Sequence, residues 1–267
     1  MMNRALWTAA TGMHAQQKNI DVVAHDLSNV NTTGYKRTHV TFADLAYQRL
    51  RAAGIQARGG NEMPAGLQVG HGVRVTGTTK MFLIGGMLET GNPYNMFIQD
   101  KGTVARNFFR VDTGDGEIRY TRDGSFNRDA EGNLVLPNGA ILQGGITVPE
   151  DAQDPTWTAD GRLQYRDPAG DIQEAGQLEL ATFANPAGLE PVGDNLFAQT
   201  EASGAEIAGT PGEEGFGTIV GRFVELSNVS AIDEMVKLIT AQRAYEFNSR
   251  SIQTSDEMLQ TVNNLKR

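Results

Sequence analysis

The two ends of this chain are alike and its middle resembles neither, which limits the folds open to it. Leu6, Ala9, Met13, Gln16, Ile20, Val23, Leu27 and Val30 follow alternating steps of three and four, the a/d seam of a coiled coil with one polar member. Near the other end Leu238, Ala241, Tyr245, Asn248, Ile252, Ser255, Leu259 and Val262 repeat the step, preceded by Val229, Ile232, Met235, Val236 and Ile239. An isolated helix with so narrow an apolar stripe is marginal in water, so both are expected to order only against partners. Two helices packed on one core is the plainer reading of such stripes. The polar seam positions and the placement at opposite ends point instead to helices that pair with each other and with neighbouring copies. Leu6, Met13, Ile20, Leu27, Val30, Leu238, Tyr245, Ile252, Leu259 and Val262 are the candidate assembly contacts.

The first helix is expected to stop where Asn29, Asn31, Thr32 and Thr33 compete for backbone hydrogen bonds and Gly34 tolerates positive φ. Ser230 offers an N-cap to the second, with Asp233 and Glu234 in its first turn and Lys266 and Arg267 at the C-terminal end of its dipole. Between the helices stand most of the 31 glycines and 9 prolines, spread as turn residues among short strands. Residues 33 to 90 hold Gly54, Gly59, Gly60, Pro64, Gly66, Gly70 and Gly72, which exclude a long helix and predict an extended arm with strands around Leu67–Val69 and Val73–Val75. From 91 to 203 strands are predicted at Phe108–Val111, Ile118–Thr121, Leu134–Leu136, Ala140–Gln143, Leu163–Tyr165, Gln177–Phe183 and Asn195–Ala198. Asp123-Gly124 followed by Asp129 and Gly132 echoes Asp160-Gly161 followed by Asp167 and Gly170, a repeated hairpin. The expected fold is α+β. Terminal coiled-coil helices, residues 1–32 and 225–267, form one domain, residues 33–90 and 204–224 an arm, and residues 91–203 an all-β domain.

With 32 acidic against 23 basic residues the net charge is −9, so no field draws nucleic acid. The absence of Cys removes thiol catalysis, Cys-ligated zinc and disulfides. His14, His25, His39 and His71 form no zinc motif. Asn127, Asp129 and Glu131-Gly132 mimic the start of a calcium loop whose twelfth position is Asn138 and not Glu, so a β-turn is expected. No phosphate loop or nucleophile elbow occurs, and no catalytic residue, metal or cofactor is expected. The first residues reach Thr8, Thr11 and His14 before an apolar run forms, so neither a cleaved signal nor membrane insertion is expected.

Asp26-Leu27-Ser28-Asn29-Val30-Asn31-Thr32-Thr33-Gly34-Tyr35-Lys36 resembles the N-terminal signature of bacterial flagellar rod, hook and hook-associated proteins. Val224 to Val229, with Ser227 and Asn228, then Glu234-Met235-Val236, Gln242-Arg243-Ala244-Tyr245-Glu246 and Asp256 to Leu259, is similar to their C-terminal signature. Tyr120 to Phe126 and Gly91-Asn92-Pro93 extend the resemblance through the middle, and Tyr47 to Val75 looks like the longer arm of distal-rod members. One departure is Thr103 to Asn107, which resembles an insertion ahead of Phe108-Phe109.

The resemblance implies a structural subunit, not an enzyme: a distal-rod component exported by the flagellar type III apparatus without a cleaved signal. It would assemble in the periplasm as a homo-oligomeric helical tube that transmits torque. Its partners would be the export apparatus, other rod proteins, the hook protein and the surrounding rings. A proximal-rod or hook-type paralogue is the alternative within the family. Outside it stands a cell-wall carbohydrate-binding β protein, for which Trp157 would be an exposed aromatic. In the free chain both ends are expected to be cut by proteases, leaving a fragment of roughly residues 75 to 205.

Overall fold

A computed structural model describes residues 2–51, 66–102 and 104–265. The fold is α+β: helix α1 (Met2–Ser28) opens the chain, helix α2 (Ala231–Leu265) closes it, and short strands fill the middle. The chain divides into two compact units. One comprises residues 1–27, 38–79 and 231–267, the other residues 28–37 and 80–230.

In the helical unit, α1 covers the stripe its spacing predicts as far as Leu27; Val30, predicted as its last member, lies in the turn beyond the helix end at Ser28. Ala9 and Val23 are buried, Leu6, Met13, Gln16, Ile20 and Leu27 are half-buried, and Trp7, His14, Gln17, Lys18 and Asp21 are exposed on the other side. The buried carboxylate of Asp26 accepts the Thr38 N–H at 2.9 and 3.1 Å, tying α1 to the next strand. That strand, Thr38–Asp44, pairs with Val73–Lys80, and Tyr47–Arg51 pairs antiparallel with Leu67–Gly70, Tyr47 opposite Gly70. The arm strands at Leu67–Val69 and Val73–Val75 are therefore present, each with a partner that the spacing of Gly and Pro did not reveal. The arm's Gly54, Gly59, Gly60 and Pro64 lie outside the described residues.

In the β unit the strand Asn107–Asp112 organises the largest sheet. It pairs antiparallel with Ile118–Thr121 along one edge; its other edge is shared by Leu180–Thr182 at one end and Ile141–Leu142 at the other. Both faces are covered, so its apolar residues Phe108, Phe109 and Val111 are all buried. Phe109 and Val111 enter a core with Phe126, Leu134, Leu163 and Leu178. Phe108 enters an aromatic cluster, its ring edge-on to Phe82 at 5.4 Å and to Phe183 at 5.8 Å. Edge-to-face rings contribute about 0.5–1.5 kcal/mol per pair beyond the area they bury.

The expected echo holds for Asp129–Gly132 and Asp167–Gly170 but not for Asp123-Gly124, which does not form the turn that Gly161 closes; one turn recurs at four places. Asp129 N–H donates to Asn133 O while Gly132 N–H returns to Asp129 O, and the same two bonds recur at Leu136–Ala140, Thr158–Arg162 and Asp167–Asp171. Each places its glycine, Gly132, Gly139, Gly161 or Gly170, fourth and at φ between 74° and 94°. This is the three-residue hairpin loop closed by a left-handed residue, whose twist matches that of the strands. The residues that mimic a calcium loop are the first of these turns, with Asp129 accepting from the backbone and side chain of Asn133.

Three expectations change. Gln177–Phe183 is two strands, Ile172–Gln177 and Leu180–Thr182, because Leu178 leaves the first to donate its N–H to Gly161 O and bury its side chain. Trp157 is 6% exposed and packs in the core, so it is not an exposed platform for a sugar. Residues 204–224 are not merely Gly-rich connection: Thr218–Gly221 pairs with Met96–Gln99, and Phe223–Glu225 pairs with Met87–Glu89. A fragment of residues 75 to 205 would lack those strands, so the protease-resistant piece is expected to extend from about residue 28 to about residue 230.

The four-fold turn makes a controlled comparison possible. A Cβ on Gly139 meets nothing within 4 Å, so Gly139→Ala costs only the left-handed conformation, about 1–2 kcal/mol. A Cβ on Gly132 would stand 2.5 Å from the Val148 carbonyl oxygen, and Gly132→Ala is expected to lose about 1–3 kcal/mol more. Urea unfolding of the two variants checks the order; equal losses would mean that the Val148 backbone yields freely.

Candidate assembly surface

Helix α2 has one covered face and one bare one. Glu234, Ala241 and Ser255 are buried, and Leu238, Ala244, Asn248, Ile252 and Leu259 are half-buried, all on one side at about 100° per residue. Turned half a revolution away, Ile232, Met235, Val236, Ile239 and Phe247 are between 48% and 73% exposed. Two of the buried positions, Ala241 and Ser255, are small, and the helices approach closely: a Cβ on Gly12 of α1 would lie 2.8 Å from the Asn248 side-chain nitrogen. That approach leaves no room for a ring. Tyr245, a seam member by spacing, is accordingly exposed, and Ala244 lies beside the seam in its place. Val262 is exposed as well.

The family-type motifs behave differently on the two sides of residue 230. Ahead of it they form a buried junction in the β unit. Glu225 Oε1 accepts from Lys36 Nζ at 2.5 Å and from Gly85 N–H at 2.7 Å, while Oε2 accepts from Arg122 Nε at 2.8 Å. Arg122 also donates to Asp100 Oδ2 at 2.8 Å and to the carbonyls of Asn107 and Ile98, and Lys36 donates to Leu83 O at 2.7 Å. Side chains of Lys36 and Arg122 are wholly buried, and two cations meet two carboxylates.

Around this cluster, Gly34 turns the chain at φ 67° and donates to Glu225 O at 2.7 Å, and a Cβ there would press on the Arg122 backbone. Asn228 Oδ1 accepts the Arg37 N–H, and its amide nitrogen donates to Met81 O and Leu83 O. Thr33 O accepts from the Asn195 side chain, and the buried Tyr35 ring lies 4.1 Å beneath the Lys80 ammonium. Asn29 Oδ1 accepts from the Thr32 hydroxyl, Ser227 Oγ from Val229 N–H, and Val229 is buried, while Asn31 is exposed. Beyond residue 230, Gln242 and Arg243 are exposed on α2. Arg122, Asp100 and Glu225 were not expected as a set. Their signal was faint: charged side chains standing inside strand-like apolar text.

Burial alone would raise the Glu225 pKa, but Arg122, Lys36 and the Gly85 N–H outweigh it and hold the carboxyl below its ordinary 4.5. Burial pulls Lys36 down to about 8, with Glu225 opposing and Arg122 adding to the fall. Among the described residues no cluster of His, Asp or Glu could hold a metal ion, and no helix is long and apolar enough to cross a membrane. In the junction four charges cancel where none could stand alone.

Glu225→Gln keeps the shape and removes the counter-charge, and is expected to cost about 3–5 kcal/mol. Arg162→Gln, which breaks a half-exposed pair with Glu174 at 3.2 Å, is expected to cost about 1 kcal/mol or less. A carboxyl with a lowered folded pKa contributes stability above its ordinary value and loses it as pH falls through the folded one. The gap between wild type and Glu225→Gln in urea unfolding should therefore hold from pH 4.5 to about 8, where Lys36 begins to lose its charge, and narrow below pH 4.5. A gap constant down to the acid transition would place the carboxylate's contribution elsewhere.

Family models match three stretches of the chain: "Flagella basal body rod protein" at residues 6–36, "Flagellar hook protein FlgE/F/G D1 domain" at 96–165, and "Flagellar basal body rod FlgEFG protein C-terminal" at 220–265. The first and last contain the two halves of the buried junction, Lys36 and Glu225, and the middle one contains Asp100 and Arg122. The chain is 45% identical over 269 residues to the flagellar basal-body rod protein FlgG of Borreliella burgdorferi, covering all of both chains. It is 44% identical to FlgG of Agrobacterium fabrum, over 98% of this chain and all of the relative, and 38% identical to FlgG of Bacillus subtilis over the whole of both. Likeness of this extent, running through both terminal helices, the β unit and the junction, means that the chain belongs to the FlgG family of flagellar basal-body rod proteins.

Proposed function

We propose that this chain is the distal-rod subunit of a bacterial flagellum, polymerising into a hollow helical shaft that carries torque to the hook. The observation that carries this is the bare apolar face of α2 directly opposite its covered one. A helix with two apolar faces needs two partners, and one chain supplies only one. Leu6, Met13, Ile20, Leu27 and Val30 with Leu238, Tyr245, Ile252, Leu259 and Val262 would form coiled-coil contacts within and between copies, making residues 1–32 and 225–267 the inner tube. Residues 91–203 would form the outer wall, and residues 33–90 with 204–224 the connection that locks adjacent subunits. Other rod proteins, the hook protein, the surrounding rings and the type III export apparatus would be its partners.

Replacing Leu27 or Ile252 by Asp should abolish rod formation and swimming, because an uncompensated charge between packed helices costs several kcal/mol. Circular dichroism and urea unfolding should show the β unit still folded. Normal motility of both variants would mean that neither position is covered in the assembled rod.

The arm from Tyr47 to Val75 would set stiffness by touching neighbouring subunits. Tyr47, Leu50 and Leu67 are 59%, 46% and 51% exposed on their paired strands, apolar surface that no other described residue covers. Deleting residues 52 to 66 is expected to leave a polymer that forms and bends more easily. Unchanged bending in electron micrographs would reduce the arm to a linker.

A further inference from the structure

Four described residues other than glycine hold positive φ: Asp154 at 46°, Asp194 at 49°, Asn195 at 61° and Arg222 at 68°. Asp194 and Asn195 form the two-residue hairpin loop between Glu190–Gly193 and Leu196–Ala198, where such angles are the norm. Asp154 has no such reason. It precedes Pro155, whose ring holds the residue ahead of it to extended conformations. It stands where the strand Gln153–Trp157 slips register against Arg162–Arg166, between Gln153 and Thr156, at a kind of bulge that glycine ordinarily fills when φ is positive. Asp154 is exposed there, while Pro155 and Trp157 are buried and fix the chain just beyond it.

Backbone strain is thus stored at a chemically particular bond. An aspartyl carboxyl can close a five-membered ring on its own main-chain carbonyl, and a proline nitrogen leaves from that carbonyl more readily than a secondary amide nitrogen because it is the more basic. Attack within one residue has the advantage of any pre-positioned nucleophile. The Thr156 hydroxyl donates to the Asp154 carbonyl oxygen at 3.2 Å, where negative charge gathers as that carbon is attacked.

We propose that the bond between Asp154 and Pro155 is a self-cleavage site of the folded chain. The Asp154 carboxyl oxygen bonds to the Asp154 main-chain carbonyl carbon, the bond from that carbon to the Pro155 nitrogen breaks, and the carboxyl proton passes to that nitrogen. One water then opens the cyclic anhydride, restoring the side chain and leaving a free main-chain carboxylate at Asp154 and a secondary amine at Pro155. The net change is hydrolysis, with nothing oxidised or reduced. The two pieces stay together, because Glu225 of the second holds Lys36 and Arg122 of the first.

The chain carries its own control in Asp167-Pro168, its other Asp-Pro pair. The Asp167 carbonyl also accepts a hydrogen bond, from Gly170 N–H at 2.8 Å, but Asp167 is not left-handed. The full-length chain is held at the lowest pH at which circular dichroism shows it folded, and in urea at the same pH, and both cuts are followed by mass spectrometry. Cleavage after Asp154 is expected to run about tenfold faster than after Asp167 in the folded chain, the rate equivalent of the left-handed strain, and at about the same rate in urea. Asp154→Glu, whose carboxyl would have to close a larger ring, should lose the first cut and keep the second. Asp154→Gly, which suits the bulge and has no carboxyl, should do the same, and Thr156→Val should slow the first cut alone. Absence of the first cut, equal rates in the folded chain, a ratio that urea leaves unchanged, or a first cut that survives Asp154→Glu or Asp154→Gly overturns the proposal. So does a rate constant that rises with protein concentration or falls with protease inhibitors, which would assign the cut to a protease.

Discussion

A single carboxylate, that of Glu225, holds together parts of the chain that no local interaction could join. It accepts from Lys36 and Arg122 at once, and Arg122 reaches on to Asp100. The four residues come from near the start, the middle and near the end of the sequence. None of them could be buried singly, since an unpaired charge in the interior costs several kcal/mol, so the cluster exists only when all its segments have arrived. The β unit accordingly includes residues 28–37 and everything from 80 to 230, and its closing strands, Thr218–Gly221 and Phe223–Glu225, come last in the sequence. Contacts of such long sequence separation fold slowly, because loop entropy is lost before any of them forms.

The helical unit obeys the opposite economy. Its close approaches use small side chains, Gly12 against Asn248 and Ala241 and Ser255 on the covered face of α2. The large apolar ones, Ile232, Met235, Val236, Ile239 and Phe247, are left outside. A soluble monomer rarely exposes such a stripe unless something covers it in use. The two units therefore differ in kind: one holds a sheet with both faces buried and a neutralised ionic junction, and the other holds two incompletely covered helices.

Much of this was legible beforehand, and the reasons are specific. Strands such as Ile118–Thr121 and Asn107–Asp112 were readable because glycine-bearing turns bracket short apolar runs, and one turn type recurs with its glycine fourth each time. Helix ends were readable because Asn29 to Gly34 and Ser230 carry stop and start chemistry. Trp157 misled because an aromatic among acidic turns looks the same in sequence whether it faces solvent or core. Residues 204–224 misled because their strands are three or four residues long and their partners lie far upstream, near Met87 and Met96.

By itself the sequence determined the periodic and the local: two long amphipathic helices at the ends, hairpins between them, the absence of thiol chemistry, and the motifs that carry the family resemblance. These follow from side-chain spacing and turn preference, which need only neighbours along the chain. The tertiary structure alone decided which charged residues meet and which apolar face of α2 is left bare. Lys36, Arg122 and Glu225 carry the same charges in any fold, but only the closing of the last strands brings them within 3 Å of one another's donors and acceptors. Similarly, both sides of α2 are apolar in sequence, and only the approach of Gly12 to Asn248 selects the side that the single chain covers.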